Sequence, residues 1–272
     1  ISALLSSGEL VSSAFFAIML NKLGLKGKSF QGWQLPIITQ NISYNSLINE
    51  IHVNKLNKSL KNNEVPVLSG FQGVNSENRI TTLGRGGSDT TAVALAYKLK
   101  AIRCDIYTDV EGVFTADPRV VSNARKMDEI NFEEMLELSS LGAKVLHTRS
   151  VQLALKYNVK MQVLSSFKGN KGTMLIKEKK NIEGQIVTGI AHSSNDALIT
   201  LTEIINKPGI SATIFNELAD KGINVDMIVQ SASSKDKKVT YAYTVSKTDA
   251  NKSRIIMTSI QNKLNFKDVI IN

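Results

Sequence analysis

The chain is poor in the residue types that would tie it to metals, membranes or an oxidising compartment. It has one cysteine, Cys104, among 272 residues. A single thiol excludes an intrachain disulfide and points to a reducing compartment, the cytoplasm. Its three histidines, His52, His147 and His192, stand at no metal-ligand spacing, so no metal site is expected in the protein itself. No apolar run reaches the roughly 18 residues of a membrane span, and no signal-peptide pattern opens the sequence. The chain begins with Ile1 rather than Met, so an incomplete N-terminus is expected. The formal charge is +9, but the lysines are scattered, without interleaved aromatics or a basic-helix motif. A solvated basic surface is therefore expected, with no nucleic-acid partner and no membrane.

What is present is an ordinary globular composition, 42% hydrophobic and 21% charged, with length for one or two domains. From Gly8 to about Phe167, helical patterns alternate with short apolar runs. "GELVSSAFFAIMLNKLG" is a helix closed by Gly24. "VPVLSG" (65–70), "CDIYTDV" (104–110) and "VKMQVLSS" (159–166) read as strands. "SDTTAVALAYKLKA" (88–101) reads as a helix capped by Ser88 or Asp89, and "NFEEMLELSSLGAKVL" as a helix that breaks near Gly142. The alternation predicts an α/β sandwich with a mostly parallel sheet. The polar stretch 167–184 reads as a linker. Beyond it the order is β-α-β-β-α-β, a ferredoxin-like α+β module. Its strands are expected at 197–204, 225–232 and 238–246 and from 266, with helices at 208–222 and 249–264. The predicted division is 1–170 and 183–272.

Four stretches carry candidate chemistry. In "TTLGRGGSDTTA" (81–92), successive glycines at a helix N-terminus let backbone N–H groups approach an anion. Arg85 adds a planar fork suited to a carboxylate or phosphate. No Gly-Lys-Ser/Thr follows, so this is not a Walker A loop, and it is not GxGxxG. Glycines alone suit a tight turn as well as a site; Arg85 with Ser88-Asp89 favours a site. In "YTDVEGVFTADPR" (107–119), Thr108 and Asp109 end a strand, where open α/β sheets bind ligands. Arg119 can reach phosphates there, or the segment can be an Asp-Pro turn closed by a surface ion pair. "SLGAKVLHTRS" (140–150) puts Lys144 after a helix break, and "SSGELVS" (6–12) puts Glu9 in the first turn of a helix. A solvent-facing lysine and a dipole-complementing glutamate are the plainer readings of these two.

Taken together, these segments resemble the aspartate kinases, of the amino acid kinase fold. The resemblance rests on "SSGELVS", "SFQGWQLPIIT", "GFQGV", "TTLGRGGSDTTAVALA", "CDIYTDVEGVFTADPR", "FEEMLELSSLGAKVLHTRS" and "KPGISATIFNELADKGINVDMIVQ", in the family's order. It implies a three-layer amino acid kinase sandwich followed by an ACT domain, and ATP-dependent phosphorylation of L-aspartate to 4-phospho-L-aspartate, the first step toward lysine, threonine and methionine. By the family's pattern, Glu9, Arg85, Gly86, Gly87 and Ser88 face the substrate. Thr108, Asp109, Phe114, Arg119, Lys144 and Val145 line the ATP site, with Asp109 organising the phosphate end and Mg²⁺ riding with ATP. Asn206, Asn224, Val225, Asp226 and Gln230 are the implied effector contacts, for lysine, threonine or both, between modules of a homodimer paired through the ACT domains.

Departures accompany the match. Phe114 stands where the family usually has Tyr, "LHTRS" replaces the commoner "LHPRA", and Asn206 replaces an aspartate. The family's Lys-Phe-Gly-Gly segment, with its main catalytic lysine, is not among these residues, and truncation at both ends is expected. A second ACT module is expected to be incomplete, its first strand within "QIVTGIAHSSNDALITL" (185–201). The rivals are another amino acid kinase acting on a glutamate-type substrate, and a non-catalytic ACT protein that binds an effector.

Overall fold

In a computed structural model of the chain, which describes residues 1–42, 45–143, 145–177, 187–232 and 238–272, the first helix turns its small residues inward. This helix, α1 (Ser2–Lys22), buries Ser2, Ser6, Ser13 and Ala17. Leu4, Val11, Phe15, Phe16, Ile18 and Met19 are each at least half exposed. The small face lets α1 lie close on β1 (Gly27–Phe30): a Cβ on Gly27 would come 2.5 Å from the Ala17 carbonyl oxygen. By length and composition α1 is long and apolar enough to cross a membrane. The sequence reading missed this because serines and a glycine interrupt its apolar run. The helix stops as expected at Gly24, where φ is +80°.

The first unit, Ile1–His192, continues through β2 (Ile37–Thr39), β3 (Ile48–Ile51), α2 (Asn54–Lys61), β4 (Val65–Leu68), β5 (Gln72–Val74), β6 (Ile80–Thr82) and α3 (Gly87–Lys98). Then come β7 (Cys104–Thr108), β8 (Glu129–Asn131), α4 (Phe132–Ser140), α5 (Thr148–Tyr157), β9 (Met161–Ser165) and β10 (Thr173–Ile176). The sheet orders are β1-β4, β3-β2-β5-β6 and β7-β9-β10-β8. The ladders β1–β4, β2–β5, β7–β9 and β8–β10 are parallel; β2–β3, β5–β6 and β9–β10 are antiparallel. The sandwich is thus α/β with parallel pairing predominant, as expected, on sheets that are mixed. Its main core sets Val93, Met135, Val151 and Ala154 from α3, α4 and α5 against Ile106, Met161 and Val163 of β7 and β9.

Three local expectations change. The N-cap of α3 is Gly86, with φ +69° and no side-chain cap, rather than Ser88 or Asp89. A left-handed residue is needed where the turn closes through Gly87 N–H to the Gly84 carbonyl (3.0 Å). Helix α4 ends at Ser140, just ahead of Gly142, and starts on a capping box of Asn131 and Glu134. The stretch read as a linker contains β10, in the interior of its sheet. That strand is fixed by the buried Thr173 hydroxyl, which accepts from Val113 N–H (2.8 Å) and donates to the Met127 carbonyl (2.6 Å). Four residues bounded by glycine and lysines left too short an apolar signal to read.

The second unit, Ser193–Asn272, runs β11 (Asp196–Ile205), α6 (Ile210–Asp220), β12 (Ile228–Ala232), β13 (Lys238–Ser246), α7 (Lys247–Leu264) and β14 (Val269–Ile271). This is the expected ferredoxin-like order, with a sheet ordered β12-β13-β11-β14 and antiparallel throughout. Alternate residues of β11 and β13 (Ile199 and Leu201; Val239, Tyr241 and Tyr243) face Ile214, Leu218 and Met257 of the two helices. The Tyr243 hydroxyl stays satisfied in this core through Ser253 (2.9 Å). Of the stretch expected to hold an additional strand, 185 and 186 lie outside the described residues, 187–195 form none, and β11 is the module's first.

Candidate active site

The loop from Leu83 to Asp89 is held from several sides. Glu9 lies midway along α1 rather than in its first turn as expected, because the helix starts at Ser2. It accepts a hydrogen bond on its carboxylate from the Ser88 hydroxyl (3.4 Å). Its own carbonyl accepts from Ser69 Oγ (3.3 Å), which also meets Ser13 Oγ (2.8 Å) and Gln31 Oε1 (3.2 Å). Helix α1 is thereby pinned to the ends of β1 and β4, and Glu9 and Ser88, separated by 79 positions, meet. Arg85 projects from this loop into solvent and has no hydrogen-bond or ion-pair partner among the described residues. Beside it, α3 opens without a side-chain cap and with Asp89 in its first turn, so Arg85 stands next to the positive end of a helix.

Three residues shape this loop that the sequence reading did not single out for a role. Phe71 holds φ at +66°, an outlier for a bulky side chain and the kind of strain that gathers at functional sites. Its N–H donates to Thr91 Oγ1 (3.2 Å), and its carbonyl accepts from Leu83 N–H (2.8 Å). His147, the N-cap of α5, lies over Gly86, where a Cβ would come 2.3 Å from the imidazole. Arg149 donates to the Leu83 carbonyl (2.8 Å) and the Ser46 carbonyl (2.9 Å). The one signal available for the last two was their place in "SLGAKVLHTRS". Asp89 packs here as well: burial raises its carboxyl above the ordinary aspartate range, against the pull of the His147 N–H.

The second loop leaves the end of β7. Thr108 Oγ1 donates to the exposed Asp109 carboxylate (3.0 Å). Arg119 is fastened to Asp117 through Nε and Nη2 (both 3.1 Å) and through its backbone N–H (2.9 Å). This is the Asp-Pro turn with a surface ion pair, and it keeps the Arg119 guanidinium charged with Asp109 also in electrostatic range. Phe114 is half-buried and bridges to Lys126. Across the loop Glu111 is held by Lys168 (2.6 Å) and Asn170 (2.7 Å), which keep its carboxyl below the usual range. Val145 packs on the core that includes Val113; Lys144 lies outside the described residues. Among the described residues no group of three or more His, Cys, Asp or Glu could hold a metal ion.

In the second unit the expected effector residues fall at two ends. Asp226 N–H donates to the Thr244 carbonyl (3.1 Å), level with the start of β11. Asn206 follows the far end of that strand, roughly 25 Å away by strand rise. Asn224, Asp226 and Gln230 are exposed and Val225 half-buried, and β12 is an edge strand.

Residues 2–165 match the amino acid kinase family and residues 202–256 an ACT domain. The chain belongs to the amino acid kinase family. Among its relatives this amino acid kinase is 42% identical to the aspartate kinase of Pseudomonas fluorescens over 271 residues, 99% of this chain and 65% of that protein. It is 51% identical to the aspartokinase of Rickettsia felis over 201 residues, 74% of this chain and 50% of that one. Among solved structures, Escherichia coli aspartokinase III in complex with aspartate and ADP superposes with a TM-score of 0.79 at 31% identity, over 100% of this chain and 61% of that one. The chain thus spans just under two thirds of the length of the Pseudomonas relative.

Proposed function

We propose that the protein transfers the γ-phosphoryl group of ATP to the β-carboxylate of L-aspartate, giving 4-phospho-L-aspartate and ADP, as the first step toward lysine, threonine and methionine in the cytoplasm. The observation that carries this reading is the loop at the start of α3. There Arg85, unpaired among the described residues, and a helix N-terminus without a side-chain cap lie beside a carboxylate, Glu9, tied to Ser88. An amino dicarboxylate needs both signs of charge. The Arg85 fork and the Gly86-Gly87-Ser88 backbone take a carboxylate, and Glu9 takes the α-ammonium. The aspartokinase III of E. coli, solved with aspartate and ADP, supports the same pair of substrates.

A β-carboxylate oxygen attacks the γ-phosphorus as the bond to the bridging oxygen of ADP breaks. Little covalent chemistry falls to the protein, so positioning and charge neutralisation dominate. Thr108, Asp109, Phe114, Arg119, Lys144 and Val145 are assigned to the nucleotide. Arg119 would exchange Asp117 for phosphate oxygens. Mg²⁺ bound with ATP would neutralise phosphate charge, with the exposed Asp109 as the carboxylate to face it.

The ACT domain is assigned an amino-acid effector, lysine or threonine; the E. coli enzyme has been solved with lysine and aspartate. Antiparallel pairing of two β12 edges would set the Asn206 end of one module beside the Asn224–Asp226 end of another, and the exposed Met227, Ile228 and Val229 on that edge support such a homodimer.

ADP release by the full-length protein, with aspartate against glutamate as acceptor and lysine and threonine added as inhibitors, tests the reading. Replacing Arg85 with Ala is expected to cost about 2–5 kcal/mol in transition-state binding, with only partial recovery by Lys. An Arg85→Ala protein with unchanged aspartate KM and kcat would remove this assignment.

A further inference from the structure

Arg149 sits in the first turn of α5, at the end of the helix where a cation is electrostatically unwelcome. It is half-buried, and burial pulls its guanidinium below the usual arginine value. Among the described residues no carboxylate compensates it; its side-chain partners are two neutral carbonyls, of Leu83 and Ser46. Both lie in loops next to the acceptor site. Leu83 is two positions before Arg85. Ser46 donates its N–H to the Thr82 carbonyl (3.0 Å), and its neighbour Asn45 lies against Gly84. Among the described residues Arg85 has no partner of its own, so the loop backbone sets the point and direction from which its side chain leaves.

We infer that Arg149 is a positioning residue: it bridges the Leu83 and Ser46 carbonyls and so fixes the loop that aims Arg85 at the acceptor, joining it to the segment that carries Val145. The inference rests on the aspartate kinase reading for its consequence in turnover, and on geometry alone for the clamp.

The test compares wild type, Arg149→Gln, Arg149→Lys and Arg149→Ala by steady-state kinetics, with amide hydrogen exchange across 83–88 as a readout independent of turnover. Arg149→Gln is expected to raise the aspartate KM about tenfold while the ATP KM moves less than about twofold, because misaiming the acceptor fork acts on one substrate. Exchange at Gly84–Ser88 is expected to speed up. Lys, which keeps the charge but not the fork, is expected to fall between. Guanidinium ion is expected to lower the aspartate KM of Arg149→Ala and not that of wild type. An aspartate KM unchanged in folded Arg149→Gln, or equal rises for both substrates, would overturn the inference, as would Lys equal to wild type. If Gln and Ala fail to fold, the Lys variant alone decides it. Measured in the full-length protein that carries these residues, wild type without aspartate-dependent turnover, but with faster exchange in Arg149→Gln, would uphold the clamp and sink the kinase reading; unchanged exchange would sink the clamp.

Discussion

The two loops assigned to the two substrates are built in opposite ways. Between Leu83 and Asp89 the chain is wedged between helix ends, with the His147 ring over Gly86 and Arg149 on the Leu83 carbonyl. Between Asp109 and Arg119 it is shaped at the surface by charge pairs, Arg119 on Asp117 and Lys168 on Glu111. Packed backbone cannot adjust without repacking its neighbours. Surface ion pairs exchange partners readily because water screens both states. The first loop is therefore held by packing, whereas the second is anchored in the core at Val113, through Thr173, and its charged side chains can exchange partners.

The contrast breaks first at Gly86. Gly86→Ala places a Cβ 2.3 Å from the His147 ring at a left-handed φ of +69°. The backbone strain alone costs about 1–2 kcal/mol, and shifting the loop is expected to lower aspartate-dependent kcat/KM on the order of 100-fold. Adding His147→Gly, which removes the His147 Cβ as well as the ring, is expected to recover packing but not the strain, as thermal unfolding and kinetics of the pair would reveal.

A gentler probe is Asp89→Asn. Burial raises the folded-state pKa of Asp89, so its neutral form stabilises the fold at low pH, and that contribution is lost as pH rises through the folded value. Asparagine still accepts from the His147 N–H and carries no buried charge. A higher Tm at pH 7 is expected, with the gap closing below about pH 4, where the carboxyl is protonated in both states. A gap independent of pH would mean that the acceptor loop holds no buried charge.

The smallest effect is expected on the other side. Asp117→Asn frees Arg119 from an exposed ion pair. Tm is expected to stay unchanged and the ATP KM to shift by less than about threefold, in the direction of tighter binding. A large drop in Tm would show the nucleotide loop to be as rigid as its counterpart.

The sequence alone determined what depends on near neighbours. The β-α-β-β-α-β order of the second unit, the stop at Gly24 and the break at Gly142 follow from periodicity and from single residues that adopt positive φ. The strands β4 and β7, read two residues too long as 65–70 and 104–110, and the glycine loop with its arginine, were legible for the same reason. Tertiary structure decided whatever joins distant positions. Asn131 can cap α4 with its own Glu134, three residues on, but the α3 cap falls at the left-handed Gly86, where His147, 61 positions later, leaves no room for a side chain. Arg149 finds the Leu83 carbonyl across 66 positions. Helix α1 turns its serines inward because a sheet with Gly27 at its edge admits only small residues, and Asn206 stands apart from Asn224 because strand direction sets them at opposite ends. Local pattern fixes which dihedrals a segment prefers; which side chain meets which is settled by packing, whose partners are set by the whole fold rather than by any window of the chain.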